Sequence, residues 1–419
     1  MRGRDLSLGM VPPSTRNVGD DRPRFLYLAF PFLRISCKCY KTQFMADNTN
    51  LGAAKAAKND EFYTQYADIQ KEVNAYLEYN PDTFRDKTVL LPCDDPEWSN
   101  FTRFFAQNFE RLGLKRLIST SYAVESKKYK FYEPTLFETE SPLFDIDKTR
   151  IKGKIFELTR DTNSNGRIDI DDLEWHYLEG DGDFRSKEVC KLRDEADVIV
   201  TNPPFSLFRE FLNWIISANK QFLIIGNINA IHYKEVFPMI RDNKMWLGSS
   251  YFNGGAAFFI ADASLYDPNK MSNQKNAYFQ NGQFLWRVNG VRWFTNLDHG
   301  RRHEPLRLMT MKDNLRYGKN KTLRERGYIH YDNYDAIDIP AIECIPSDYQ
   351  GDMGVPDSIL EKYCPEQFEI IGLGAGDLAK EIGIVKNYRG RTDLAYTDLQ
   401  TGKSSCPYSR IIIRKKQQL

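Results

Sequence analysis

The chain has 419 residues, 41% hydrophobic and 27% charged, which is the composition of a soluble globular protein with two domains or one large one. Its formal net charge of +1 does not indicate a nucleic-acid binder, so any such function must rest on local charge. Its seven cysteines are odd in number and scattered, which argues against a disulfide framework. No apolar run approaches the ~20 residues that span a bilayer, so no membrane association is predicted.

Residues 1–54 are predicted to be a disordered or mis-annotated N-terminal extension. The apolar run at 25–33 is short, and no small-residue cleavage site follows it, so a signal peptide is not indicated. Met45-Ala46-Asp47 resembles a natural start. Residues 1–44 are therefore expected to be an upstream extension or a disordered arm.

Strands and helices alternate from about residue 55 to 265. A helix near 69–77, a strand at 88–91, a helix at 101–112 and a strand at 117–121 form a βαβ opening. Further strands are predicted at 198–200, 221–225, 245–247 and 256–260. The pattern predicts a doubly wound α/β sheet in a first domain at 55–268, with a hairpin inserted at about 150–180. Beyond Asp262 the regular alternation of strands and helices ends, which predicts an irregular α+β region at 269–419.

Residues 161–172 match the spacing of a calcium-binding loop. Oxygen-bearing side chains occupy the ligand positions, and glycine occupies the sixth. The candidate ligands are Asp161, Asn163, Asn165, Asp169 and Asp172. However, position 12 is an aspartate rather than the usual glutamate, and the flanking residues alternate as strands do. A polar hairpin tip explains the same residues and is the favoured interpretation, so no metal is predicted.

The most informative segment is Asn202-Pro203-Pro204-Phe205, which follows the apolar run 198–200. The exocyclic amine of adenine is a poor nucleophile because its lone pair is delocalised into the ring. An asparagine oxygen and the next carbonyl can accept both of its N–H groups and localise that lone pair. Proline fixes φ and has no competing N–H, and Phe205 offers a ring for stacking a flipped-out base. The segment predicts methylation of a planar amine at the carboxyl end of a buried strand.

Residues 299–327 form a basic segment with nine arginines and lysines against three acidic residues. Such a segment is often a solvated loop. The interpretation as a binding surface is strengthened here because an enzyme that acts on bases in DNA needs phosphate contacts. Within region 269–419, which is the candidate for target recognition, Arg301, Arg302 and Arg307 are the predicted contacts to phosphates or base edges.

Several segments, in order along the chain, resemble the EcoRI-type adenine-specific DNA methyltransferases. The resemblance covers roughly residues 55–415, and this many matching segments make it specific. The segments are 60–65, 93–96, 182–186, 201–208, 233–237, 246–248, 331–337, 354–356, 365–369 and 406–408.

The resemblance implies a Rossmann-like sheet, S-adenosylmethionine as methyl donor, and N6 of a flipped-out adenine in duplex DNA as acceptor. It places Asn202, Pro203, Pro204 and Phe205 at the amine site. The cofactor-binding residues that it implies are Phe62, Tyr63, Thr64, Asp94, Asp95, Asp183 and Phe184. Residues 93–100 contain no glycine, unlike the loop of most methyltransferases, so a close backbone approach to the cofactor cannot be assumed.

Two other classes of function stay open on sequence alone. The same tetrapeptide serves methyltransferases that act on RNA adenine or on protein glutamine. Alternatively, the chain would be a DNA-binding homologue that has lost catalysis, although the intact tetrapeptide and Asp183 speak against this. The expected partners are double-stranded DNA and a cognate restriction endonuclease for the same site, in the cytoplasm of a bacterial or phage-infected cell. The sequence does not give the bases recognised, whether such an endonuclease exists, or the oligomeric state.

Overall fold

The computed structural model describes residues 63–94, 99–123, 141–252, 255–259, 277–280 and 283–417, all of which belong to one compact unit, 49–419. The predicted N-terminal extension, Phe62 and Asp95 lie outside these residues, as does the side chain of Tyr63.

The described strands form one large sheet, two smaller sheets and a short hairpin. They are β1 (Tyr63–Thr64), β2 (Thr88–Leu91), β3 (Arg116–Ser121), β4 (Lys154–Leu158), β5 (Glu174–Tyr177), β6 (Val198–Thr201), β7 (Gln221–Asn227), β8 (Trp246–Tyr251), β9 (Ala256–Phe259), β10 (Ala277–Gln280), β11 (Gln283–Val288), β12 (Val291–Thr295), β13 (Ile329–His330), β14 (Ala336–Asp338), β15 (Asp352–Pro356), β16 (Phe368–Leu373), β17 (Tyr396–Thr397), β18 (Ser404–Ser405) and β19 (Arg410–Lys415).

The α-helices are mostly short. They are α1 (Tyr66–Tyr79), α2 (Asn100–Gln107), α3 (Phe109–Leu112), α4 (Ile146–Ile151), α5 (Lys187–Glu195), α6 (Phe208–Ser217), α7 (Phe237–Arg241), α8 (Met311–Tyr317), α9 (Lys321–Arg326) and α10 (Gly376–Glu381). Among the described residues, no helix has the length and apolar character needed to cross a membrane.

The large sheet has eight strands in the order β5-β4-β3-β2-β6-β7-β12-β8. Strands β3, β2, β6 and β7 are parallel, and every residue of β2 and β6 is buried, as expected for strands covered on both faces. Antiparallel strands flank this parallel centre: β4 and β5 form a hairpin on one side, and β12 and β8 lie on the other. The predicted α/β class is confirmed, with a large mixed sheet at its centre.

The strand order reverses next to β2. The chain passes from β2 to β3 on one side and later enters β6 on the other side of β2. The carboxyl ends of β2 and β6 are therefore neighbours. In open α/β sheets, ligands bind in the crevice at this reversal, which here lies between the residues that follow β2 and those that follow β6.

The structure differs from the sequence prediction at β9. Residues 256–259 do not join the large sheet. They pair antiparallel with β1 and β11 in a four-stranded sheet of order β1-β9-β11-β10. The place beside β7 is taken instead by β12, which comes from beyond residue 268. The proposed boundary at 268 thus leaves one strand of the large sheet on its C-terminal side.

Region 269–419 contributes a five-stranded sheet of order β13-β14-β15-β19-β16. Its apolar residues Val355, Phe368 and Ile411 belong to the same buried cluster as Leu90 and Ile199 of the large sheet. The C-terminal sheet therefore shares a continuous hydrophobic core with the large sheet.

Candidate active site

The tetrapeptide 202–205 lies at the carboxyl end of β6, in the reversal of strand order. It leads through a single 3₁₀ turn (Phe205–Leu207) into α6. Phe208, Phe211 and Ile215 are buried on one face of this helix. The predicted order of strand, turn and helix is confirmed.

Asp94 lies at the carboxyl edge just after β2 and links that strand to β6. Its carboxylate, which is 6% exposed, accepts hydrogen bonds from Thr201 Oγ1 at 2.6 Å and from Ser99 Oγ at 2.7 Å. Ser119 Oγ of β3 donates to the Asp94 carbonyl oxygen at 2.7 Å. Three neighbouring parallel strands therefore fix Asp94 directly beside the residue that precedes Asn202.

Strand β1 brings a second predicted segment to the same place. Asn100 Nδ2, at the start of α2, donates to the carbonyl oxygen of buried Thr64 at 2.8 Å. Thr64 pairs with Phe258 of β9, and the Phe258 ring meets the Phe205 ring edge to face at 6.4 Å. The structure thus brings Thr64, the residues after β2 and the tetrapeptide together.

Asp183 lies near the end of β3 but is fully engaged. It accepts hydrogen bonds from the Arg185 amide, Nε and Nη2 groups at 2.8, 2.9 and 2.6 Å, and from Tyr122 Oη at 3.0 Å. Arg185 is the main cause that lowers the pKa of Asp183, against the opposite effect of partial burial. Because a carboxylate offers about four acceptor positions, contact with another ligand would require one of these donors to leave.

Phe184 is buried next to Asp183. Its ring is 4% exposed and packs edge to face against Phe211 and Trp214 of α6 at 5.1 and 5.6 Å. This position gives Phe184 a role in the core, and its implied contact with a cofactor stays a prediction.

The pKa of the Cys93 thiol is affected by two nearby carboxylates. Burial raises the pKa of this thiol well above its ordinary value, and the charges of Asp94 and Asp183 raise it further. Both carboxylates therefore lie close enough to the half-buried Cys93 side chain to act on it. Sequence analysis assigned no role to Cys93, Ser99, Asn100 or Thr201, although Cys93 and Thr201 lie within segments that carry the resemblance and Ser99 and Asn100 lie within the glycine-free stretch 93–100.

The basic segment begins at the other edge of the large sheet. Strand β12 runs antiparallel to β7, so Thr295 at its end lies beside Leu223 near the start of β7. The Asn296 side chain binds the backbone of Lys220 and Phe222 there. Residues 299–303 therefore leave the large sheet at the edge opposite to the one that carries the tetrapeptide.

Arg302 is 7% exposed and is engaged inside the protein. It pairs with Asp298 at 3.2 Å, and its guanidinium lies 3.7 Å from the centre of the Trp246 ring. Arg301 donates to the Ser249 carbonyl oxygen at 2.7 Å. These contacts argue against Arg302 as a DNA contact, whereas Arg307 is exposed and stays a prediction.

His303 in this segment joins two parts of the chain. Its ring nitrogens lie 2.9 Å from Asp298 Oδ1 and 2.8 Å from Glu366 Oε1, and the ring stacks on Tyr79 at 5.4 Å. Burial lowers the pKa of His303, but hydrogen bonds and charge from the two carboxylates outweigh this effect and raise the pKa overall.

We expect His303→Gln to destabilise the protein more in mild acid than in alkali. A raised pKa means that the folded state holds the proton more tightly. The contribution of His303 is therefore complete below its unfolded pKa of about 6.5 and is lost as pH rises through the folded pKa. Thermal unfolding at about pH 5.5 and about pH 9 measures this difference. Exposed His330→Gln is the control, and an equal loss for His303→Gln at both pH values would contradict the assignment.

In the candidate calcium loop, the carboxylate oxygens accept hydrogen bonds from the loop's own backbone amides. Asp172 accepts hydrogen bonds from the amides of Thr162, Asn163 and Asp169 at 2.8, 3.1 and 3.1 Å. Asp161 accepts from the amide of Gly166 at 2.8 Å. Within the described ranges, no group of three or more histidine, cysteine or acidic residues is arranged to hold a metal ion.

The chain matches the family model described as adenine-specific methyltransferase EcoRI over residues 50–416. It is 39% identical to the Type II methyltransferase M.EcoRI of Escherichia coli, over 89% of this chain and 98% of that protein. It is also 34% identical to M.MgeORF184P of Mycoplasma genitalium and 33% identical to M.MpnI of Mycoplasma pneumoniae, each over 87% of this chain and 98% of the relative. No solved structure matches the chain significantly. The chain therefore belongs to the EcoRI family of adenine-specific methyltransferases, and its activity is site-specific methylation of adenine in DNA.

Proposed function

We propose that the chain transfers a methyl group from S-adenosylmethionine to N6 of an adenine flipped out of duplex DNA. The observation that carries this proposal is the position of Asn202-Pro203-Pro204-Phe205 at the carboxyl end of β6, beside buried Asp94. Chemistry on a base requires its removal from the stack, and the tetrapeptide lies in the crevice where a flipped base would enter.

The residues of the tetrapeptide have separate roles. The Asn202 side-chain oxygen and the Pro203 carbonyl oxygen accept the two N–H groups of the amine and direct its lone pair at the methyl group. Half-buried Phe205, supported by Phe258, stacks on the base. The N–C bond would form as the methyl–sulfur bond of the donor breaks, which leaves S-adenosylhomocysteine, and the amine proton would then leave to solvent, so no strong general base is needed.

The residues around Asp94 fit the cofactor. S-adenosylmethionine supplies a methyl group on a positively charged sulfur, and it also carries an ammonium group and ribose hydroxyls that need acceptors. Asp94 supplies negative charge beside the tetrapeptide, whereas the charge of Asp183 is compensated by Arg185. Thr64 and Asn100 close the side of the crevice next to β1. Phe62, Tyr63 and Asp95 stay predicted contacts from the sequence.

We expect Asp94→Asn to weaken S-adenosylmethionine binding by about 10-fold or more, because a hydrogen bond to a charged group contributes about 1.5–3 kcal/mol. Isothermal titration calorimetry measures this change. Exposed Asp147→Asn on α4 is the matched control. Wild-type affinity in Asp94→Asn would remove Asp94 from the cofactor site.

The function itself is tested by long-read sequencing of DNA from a methylation-deficient bacterial host that expresses the protein. We expect N6-methyladenine in a single sequence context. Unmodified DNA from a host with soluble, cofactor-binding protein would favour RNA adenine or protein glutamine as the acceptor. Failure to bind the cofactor would favour a DNA-binding homologue without catalysis.

The Type II names of the relatives support a restriction-modification system, with a cognate endonuclease for the same site and a place in the cytoplasm of a bacterial or phage-infected cell. In this proposal, residues 55–268 carry catalysis and residues 269–419 recognise the target, with exposed Arg307 as one contact. Strand β12 of the large sheet joins the two regions.

A further inference from the structure

A cation–π contact lies beside the tetrapeptide and has no part in the proposed chemistry. Arg209 is in the first turn of α6, four residues after Phe205, and its guanidinium lies 3.8 Å from the centre of the Tyr233 ring. Tyr233 directly follows the 3₁₀ helix Ile228–His232, which succeeds β7. The contact therefore joins the segments that follow β6 and β7, at the carboxyl edge of the sheet.

Arg209 differs from other arginines of the fold in what it binds. Arg185 is paired with Asp183 and Glu210, and Arg292 is paired with Glu361. Arg209 is exposed, and in the part of the chain that the structure describes no carboxylate lies within ion-pair distance of it. Glu210, its neighbour in sequence, is held by Arg185.

A guanidinium stacked on an aromatic ring is held in place through its face. Its five N–H donors point outward in the plane and stay available for a planar acceptor such as phosphate. This arrangement costs little side-chain entropy on binding, because the ring already restricts the guanidinium. Arg209 is therefore a preorganised donor for an anion at the catalytic edge.

We propose that Arg209 donates hydrogen bonds to a backbone phosphate of the target strand beside the flipped adenine. This inference rests on the proposed function. A nucleotide that rotates into the crevice brings its sugar and flanking phosphates to the edge of that crevice. Arg209, in the first turn of α6, lies at this edge. The contact fixes the position of the strand and does not read its sequence.

The salt dependence of duplex binding tests the phosphate contact. Each neutralised phosphate releases counterions, so Arg209→Gln should lower the slope of log Kd against log salt by about 1. Arg85→Gln is the matched control, because Arg85 is exposed, pairs with Asp82 and precedes β2 at the opposite edge of the sheet. Tyr233→Leu keeps the charge but removes the ring, and should weaken binding with a smaller change in slope.

A second measurement locates the phosphate. In a set of duplexes that each carry one uncharged methylphosphonate linkage near the target adenine, the wild type should lose affinity at one or two linkages. Arg209→Gln should be insensitive at the same linkages and should retain the affinity of the wild type for S-adenosylmethionine. If Arg209→Gln showed the same salt slope and the same sensitivity to each linkage as the wild type, the phosphate contact would be overturned, but the proposed function would stand. Absence of duplex methylation by the wild type would overturn the proposed function and this inference with it.

Discussion

Asn202→Ala is expected to bind S-adenosylmethionine as the wild type does and to methylate adenine about 10²–10³-fold more slowly. Removal of one preorganised hydrogen-bonding group from a reacting centre typically costs this much in rate. The cofactor should be unaffected because Asp94, Thr201 and Ser99 form their own hydrogen-bonded group beside the tetrapeptide. Single-turnover methyl transfer to a duplex, with enzyme in excess, isolates the chemical step from product release.

Asn202→Asp is the informative companion variant. It keeps an acceptor oxygen at the same position and replaces the neutral amide donor with a second, charged oxygen, so it should be faster than Asn202→Ala. If acceptance of the amine N–H is the role of Asn202, the loss falls on kcat more than on KM for DNA. Turnover by Asn202→Ala at the wild-type rate would contradict the role.

The sequence was sufficient for the parts of the site that local patterns determine. The apolar run 198–200 and the helical spacing of Phe208, Phe211 and Ile215 predicted a buried strand followed by a helix, and both are present. These patterns depend on residues within a few positions of one another. The position of the tetrapeptide between them, at the carboxyl end of a strand, therefore follows from the local sequence alone.

The sequence could not determine how strands distant along the chain pair. Residues 256–259 and 291–295 are both short apolar strands, and nothing local shows that β12 joins β7 while β9 joins β1. The contact between Thr201 and Asp94 spans 107 positions in the sequence and depends on the reversal of strand order. Likewise, the charge of Arg302 was visible in the sequence, but its burial against Trp246 and Asp298 was not.

Glu72 is a fully buried carboxylate that connects α1 to β8. It accepts hydrogen bonds from the Ser249 and Ser250 amides at 2.8 and 2.6 Å and from Tyr76 Oη at 2.8 Å. Burial raises the pKa of Glu72, while these donors oppose the rise. A side chain at Gly248 would collide with the Glu72 carboxylate, so glycine at that position permits the close approach of helix and strand.

Glu72→Ala should lower the free energy of unfolding by about 3 kcal/mol or more, because it leaves several donors of α1 and β8 unpaired at about 1–3 kcal/mol each. Chemical unfolding followed by circular dichroism measures the change, and exposed Glu78→Ala on the same helix is the matched control with an expected change near zero. Glu72→Gln keeps the shape and one acceptor oxygen, so its loss of unfolding free energy should lie between those of Glu72→Ala and Glu78→Ala.

The same variants should differ in cofactor binding. Since α1 follows β1 directly, loosening of this helix by Glu72→Ala should disturb Thr64 and weaken cofactor binding, whereas Glu78→Ala should do neither. Wild-type stability in Glu72→Ala would show that α1 is held by its apolar face, with Ile69 and Val73, and that the buried carboxylate adds nothing.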